Sequence, residues 1–272
     1  NGCPSVLLEP QRTNLVTYSE DFSNAYWSKF GTSFSVTDND SISPSGYLNA
    51  SKLNVSNTDN LLYSSISLSA TNAAWTFSIY AKGSGSFAMN IRLSGNVATT
   101  QTMTLTSYWQ RFDVTSVNGT SITSVESFLD LNNIVNVDIF GAQLEEGSYP
   151  TSYIPTNGTV VTRLADVANG AGDATTFSDS EGVLMVEMSA LANDGTNRDV
   201  SITDGTSTNV VTIRYTSTDN EIRYKVKSGG VATVNDTVII SSATDFNKIA
   251  IKYKTNDFAL WVNGVEVATD IS

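Results

Sequence analysis

The chain has no histidine and only one cysteine, Cys3, among 272 residues. A single cysteine excludes an intrachain disulfide. Without histidine, no Ser/His/Asp or Cys/His nucleophilic site can be assembled, and the commonest transition-metal ligand is missing. Charge is also sparse, at 15% of residues, and it leans acidic: 15 Lys and Arg against 27 Asp and Glu leave a net −12. That balance argues against a nucleic-acid partner, which needs a basic footprint. No run of 18 apolar residues occurs, so neither a transmembrane helix nor membrane insertion is expected. The first residue is not Met and no signal peptide follows it, which reads as a processed product or a piece of a longer polypeptide.

Ser, Thr, Asn and Gly fill the polar positions, and the apolar share is 40%. Thr, Val, Ile and Tyr fit a pleated, half-buried surface, whereas the long-chain helix formers are scarce. An all-β protein is expected, and the length allows two domains of roughly 100–200 residues. Neither half is an electrostatic outlier: residues 1–159 hold 6 basic and 12 acidic side chains and residues 160–272 hold 9 and 15, so each carries −6.

Period-two alternation marks the strands. In Trp75–Lys82, Trp75, Phe77, Ile79 and Ala81 face one way while Thr76, Ser78, Tyr80 and Lys82 face the other. Phe87, Met89, Ile91 and Leu93 form the inward set of the next segment, leaving Asn90 and Arg92 outward. Lys82–Ser86, rich in Gly and Ser, reads as a hairpin loop between the two. Further strands are expected near 51–55, 61–68, 101–106, 109–116, 122–131 and 135–144. Residues 145–165 lose the rhythm; Pro150 and Pro155 point to an extended connector that Tyr149 and Tyr153 pack onto a domain surface. A second set of strands begins at Gly182 and ends in a hairpin whose Asn263-Gly264 pair is a strong turn signal. Trp75 and Trp261 sit in phase with core residues, Trp109 sits out of phase at a sheet edge, and Trp27 belongs to core or rim.

Asn14–Phe22, Phe77–Lys82, Tyr108–Phe112 and Asp138–Leu144 together resemble the galactose-binding-like jelly rolls of carbohydrate-binding families four, nine and twenty-two. The opening Leu7–Trp27 and the closing Asp138–Thr156 also resemble modules of bacteriophage tail-fibre and virion-surface proteins. The Phe258–Val267 hairpin resembles concanavalin-like and laminin-G-like sandwiches. These resemblances imply two tandem antiparallel β-sandwich (jelly-roll) domains. The divisions expected are a lead-in at 1–13, a jelly roll at 14–148, a linker at 149–176 and a second sandwich at 177–272, incomplete at its C-terminal end.

The jelly-roll resemblance also implies one structural calcium, held between the opening segment and the last strand by Glu20, Asp21 and Asp138. For a glycan ligand, the face opposite the core offers Tyr80, Asn90, Arg92, Phe128 and Asp130, since sugar sites combine an aromatic platform with amide, guanidinium or carboxylate groups. Concanavalin-like hydrolases share a Glu-x-Asp-x-x-Glu strand that is absent here, so no catalysis is expected. The resemblance implies a non-catalytic phage tail-fibre or virion-surface protein that attaches to host glycans, assembled with other fibre subunits as a homo-oligomer, a trimer. A spacer or capsid decoration without a ligand and an ancillary region of a secreted bacterial enzyme stay open.

Overall fold

The computed structural model describes residues 5–31, 34–56, 61–94, 99–117, 120–132 and 136–271; Cys3 lies outside them. Every regular element among the described residues is a strand. No helix there is long and apolar enough to cross a membrane. The chain divides into two compact units, Asn1–Val167 and Ala168–Ser272.

The first unit begins with β1 (Arg12–Asn14), β2 (Ser28–Phe30), β3 (Phe34–Ile42), β4 (Leu48–Val55), β5 (Leu61–Ala70) and β6 (Ala74–Gly83). It continues with β7 (Ser86–Leu93), β8 (Thr99–Thr104), β9 (Gln110–Val117), β10 (Ile122–Asp130), β11 (Asn136–Glu146) and β12 (Val161–Arg163). Two five-stranded antiparallel sheets result, ordered β2-β5-β10-β7-β8 and β3-β4-β11-β6-β9. Leu62, Met89, Ile91 and Leu129 from the first meet Leu53, Phe77, Ile79 and Ile139 from the second in one buried cluster. This is the all-β sandwich expected from the alternation: each strand gives every second side chain to a shared apolar layer. Trp75 and Trp27 both lie in this core.

The Lys82–Ser86 loop is not a hairpin. β6 and β7 belong to opposite sheets, so the short Gly/Ser segment carries the chain from one layer to the other. Composition marks a turn here, but a turn between paired strands and one between packed sheets use the same residues.

Residues 149–163 run as the extended connector expected, packed onto the first unit through Tyr153, and they end in a short strand that the sequence does not mark. β12 pairs with β1, Arg163 opposite Arg12. The segment between β11 and β12 lies over the outer face of the second sheet as a strap. Its anchor is the fully buried Glu145, whose carboxylate accepts the Thr151 amide at 2.9 Å, the Thr151 hydroxyl at 2.7 Å and the Gln143 amide at 2.7 Å. Gln143 in turn accepts the Ile154 amide at 2.7 Å, and Asn14 donates to the carbonyls of Ala142 and Ile154 at 3.1 and 2.8 Å. Pro150 and Pro155 therefore interrupt strand pairing without freeing the chain: side chains of β1 and β11 satisfy the backbone groups that a ladder would have taken.

The strap requires a bulge in β11, where the register slips between Phe140 and Gln143. Gly141 sits there with φ 66°, and a Cβ on it would lie 3.2 Å from the Tyr153 ring and 3.3 Å from Tyr80. Only glycine fits both the left-handed backbone and that contact.

The second unit comprises β13 (Glu181–Met188), β14 (Arg198–Thr203), β15 (Val210–Tyr215), β16 (Glu221–Ser228), β17 (Val231–Ile239), β18 (Asn247–Lys254), β19 (Phe258–Val262) and β20 (Val265–Asp270). They form two four-stranded sheets, β13-β18-β19-β20 and β14-β15-β16-β17. Ile249, Ile251 and Leu260 from one meet Ile213, Ile222 and Tyr224 from the other in a common core. Asn263 and Gly264 both take positive φ, 51° and 84°, in a two-residue β19–β20 turn whose twist matches its strands. Trp261 corrects its sequence reading: Phe258, Leu260 and Val262 point inward and are buried, whereas Trp261 is half-buried on the opposite face.

Candidate functional site

The outer face of the β2-β5-β10-β7-β8 sheet gathers most of the glycan candidates. Antiparallel register aligns Tyr63, Phe128, Asn90 and Thr100 in one row across four strands. Arg92 and Glu126 stand opposite each other in the next row, and Phe30, Leu61 and Asp130 lie in the row on the other side. Because β7 and β10 alternate in phase with the core, all of these point away from it.

Phe128 is the floor of this surface. Tyr63 stacks on it with centroids 5.3 Å apart and planes 23° from parallel. The Arg92 guanidinium carbon lies 4.6 Å above its ring, and one Arg92 nitrogen reaches Glu126 at 3.2 Å. These contacts fix the guanidinium over the ring while using one of its five N–H groups on Glu126, and a guanidinium fork suits paired hydroxyls or a carboxylate. Phe30 is 59% exposed, and Phe128, under its two neighbours, only 6%. Phe30, Leu61, Tyr63, Arg92, Glu126 and Phe128 enclose an open depression of about 260 Å³.

Asn90, Arg92, Phe128 and Asp130 are thus brought onto one face, each in a different role. Arg92 presents free donors. Phe128 supports the surface from below. Asn90 accepts the Thr100 hydroxyl, and Asp130 accepts the Asn132 amide at 3.1 Å. Tyr80 is not with them. It belongs to β6 in the other sheet, where it packs beneath the strap against Phe140 at 6.2 Å and Tyr153 at 6.4 Å, with Arg111 5.4 Å from its ring centre. Its strand phase points away from the core as expected, but the strap covers that face. Phe30, Leu61 and Tyr63 were missed. The 61–68 strand was visible, yet the serines at 64, 65 and 67 hide which of its faces is apolar.

The calcium candidates do not converge. Both carboxylate oxygens of Glu20 are engaged, one by the Asn49 amide at 2.9 Å and the other by the Tyr153 hydroxyl at 3.0 Å. Burial and the neighbouring Glu20 carboxylate push the Tyr153 phenol well above its ordinary range, so it stays a donor. Asp21 caps a local turn, accepting the Asn24 backbone amide at 3.0 Å and its side-chain amide at 3.2 Å. Asp138 pairs across the sheet with Lys82 at 3.4 Å. Among the described residues no three acidic side chains are grouped to hold a metal. Calcium needs six to eight oxygens, and this donor set does not fit it.

Trp109 is a sheet-edge residue: its indole donates to the Ile42 carbonyl at 2.9 Å, and the Lys82 ammonium lies 4.9 Å from its ring centre.

No family model and no curated protein matches the chain. Among solved structures, a CBM4 structure is 18% identical over 44% of this chain and 86% of its own, with a TM-score of 0.35. The enzymatically active domain of bacteriophage CBA120 tailspike protein 4 is 14% identical over 49% of this chain and 21% of its own, with a TM-score of 0.40. The CBM22-1–GH10 modules of a Clostridium thermocellum endo-1,4-beta-D-xylanase, complexed with xylohexaose, are 12% identical over 54% of this chain and 30% of their own, with a TM-score of 0.36. At these scores the likenesses carry no argument about function.

Proposed function

We propose that the outer face of the β2-β5-β10-β7-β8 sheet binds a glycan and that the chain is a non-catalytic attachment protein of a virion surface or an extracellular assembly. The observation that carries this reading is the joining of an aromatic edge, the exposed Phe30 and the half-buried Tyr63, to a guanidinium held between Phe128 and Glu126. An aromatic surface takes the apolar C–H face of a sugar ring, and a planar donor takes its paired hydroxyls. The depression is open and shallow, which suits a chain lying across the sheet better than a ligand enclosed on all sides.

The spacing of the carboxylates supports binding without hydrolysis. Glu126 and Asp130 share the outer face of β10 four residues apart, a separation of about 13 Å at strand rise. Glycosidases place their two carboxyl groups roughly 5–10 Å apart, and Glu126 is already paired with Arg92. A printed glycan array probed with the whole chain tests the reading, followed by titration of the strongest neutral oligosaccharide. Tyr63→Ala and Arg92→Ala each should weaken it at least tenfold. Retention of full affinity by both variants would remove the face from consideration, and an array without hits would favour a ligand-free spacer.

A further inference from the structure

The second unit carries a row of three cations without an ion pair among the described residues, although the chain is strongly acidic. Its two sheets treat their outward cations in opposite ways. On β18, Lys248, Lys252 and Lys254 alternate outward; Lys248 stands opposite Glu187, Lys252 is ion-paired with Asp257, and Lys254 reaches Glu181 at 2.9 Å. Two of the three lysines are ion-paired, and the third has a carboxylate opposite it in register.

On β16, Arg223, Lys225 and Lys227 alternate outward in the same way, but cross-strand register sets no acid opposite them, and Glu221, which precedes Arg223 on the same face, accepts the Thr216 hydroxyl at 2.6 Å. Their β15 neighbours are Arg214, Thr212 and Val210, and their β17 neighbours are Thr237, Asn235 and Ala232. Arg223 therefore faces another arginine, an arrangement that ordinarily destabilises a sheet. Arg214 is neutralised by a two-pronged pair with Asp199 at 2.5 and 2.7 Å. Lys227 donates to the Ser207 carbonyl at 2.9 Å, which leaves its charge unmatched. The side chains of Arg223 and Lys225 have no hydrogen bond or ion pair among the described residues. All four cations are half-buried.

We infer that this face is a second binding site, for a linear polysaccharide bearing carboxylates at regular intervals. Cations at alternate positions of one strand recur about every 7 Å over about 14 Å, a straight row suited to a polymer with repeated acid groups. Thr212, Asn235 and Thr237 flank the row with hydroxyl and amide groups that match sugar hydroxyls. A single-stranded nucleic acid fits less well, because base stacking needs aromatic platforms and these rows have none. The local concentration of cations matters because the net charge of −12 repels polyanions elsewhere.

The test is titration of the whole chain with a uronic-acid hexamer at low and high salt, with a neutral hexamer and a single-stranded oligonucleotide as comparison probes. Arg223→Gln, Lys225→Gln and Lys227→Gln combined should weaken the uronate at least tenfold. Lys248→Gln, Lys252→Gln and Lys254→Gln combined, which change net charge equally, should leave affinity within twofold. High salt should weaken binding as screening shortens the reach of the row. If the first triple variant unfolds, Lys225→Gln alone should weaken the uronate about threefold. The inference is overturned if the hexamer does not bind, if both triple variants lose it equally, or if the oligonucleotide binds more tightly through the same three residues. Tyr63→Ala should leave uronate binding intact, so this site and the glycan face of the first unit fail separately.

Discussion

The two sheets of the first unit present outer faces that look alike in sequence and differ in the structure. β6 sends Thr76, Ser78 and Tyr80 away from the core; β10 sends Glu126, Phe128 and Asp130. On β6, Thr76 and Ser78 are fully buried, because the strap joining β11 to β12 lies over that face. On β10 the face stays open, and Tyr63 and Arg92 arrange themselves over Phe128. Alternation reports which side chains leave the core. It does not report whether they reach water.

The sharpest way to break this contrast is to remove the anchor of the covered face. Glu145→Ala strands the Thr151 amide and hydroxyl and the Gln143 amide in a dry layer and leaves Arg12, 3.8 Å away, without its partner. Loss of one member of a buried network costs about 3–5 kcal/mol. Glu126→Ala on the open face should cost no more than about 1 kcal/mol. Urea denaturation of both variants, followed by fluorescence, measures the difference. Equal losses would mean that the strap does not dry its face.

Next comes the floor of the open face. Phe128→Ala should destabilise the first unit by about 3 kcal/mol, since a buried aromatic is lost, and should weaken glycan binding as well. Tyr63→Ala should weaken binding with a much smaller effect on the thermal midpoint. If Phe128→Ala left stability unchanged, its role as support would be wrong.

Acid should loosen the strap before the open face. Burial raises the Glu9 carboxyl, but the Arg163 guanidinium and the hydrogen bonds from Ser152 outweigh it and hold it below the ordinary value of 4.5. A depressed folded pKa contributes stability that is complete above the unfolded value and is lost as pH falls through the folded one. Hydrogen exchange at Ser152, whose amide donates to Glu9 at 2.7 Å, should therefore accelerate below about pH 4.5 while amides of β10 stay protected. Glu9→Gln should abolish that pH step.

The smallest expected effect concerns metal. Chelator should leave the thermal midpoint of the first unit unchanged, because Glu20, Asp21 and Asp138 are each engaged by protein groups. A lowered midpoint that calcium restores would reopen the site.

These contrasts also show why only part of the architecture was legible in the sequence. Phe87, Met89, Ile91 and Leu93 declare their face because every second residue is large and apolar, and Asn263-Gly264 declares its turn because both residues tolerate positive φ. Tyr63 stayed hidden among serines, whose size allows them on either face; Ser64 is buried and Ser65 exposed. Trp261 was misassigned because Ala259 and Trp261 alternate with Phe258, Leu260 and Val262 on a strand apolar on both faces. The strap was least legible of all. It is held by Glu145, Gln143, Asn14 and Thr151, polar residues that sequence patterning assigns to a surface. Neither the irregular local bonds from Glu145 and Gln143 nor the bond from Asn14, 140 residues away from Ile154, leave a periodic trace.

The central claim is that the open face of the β2-β5-β10-β7-β8 sheet is a glycan site. Its most direct measurement is the same printed glycan array probed in parallel with the wild-type chain, Tyr63→Ala, and the triple glutamine variant of Arg223, Lys225 and Lys227. The account predicts a set of neutral-glycan signals that Tyr63→Ala loses and the triple variant keeps. Neutral-glycan signals that survive Tyr63→Ala at full strength would contradict it.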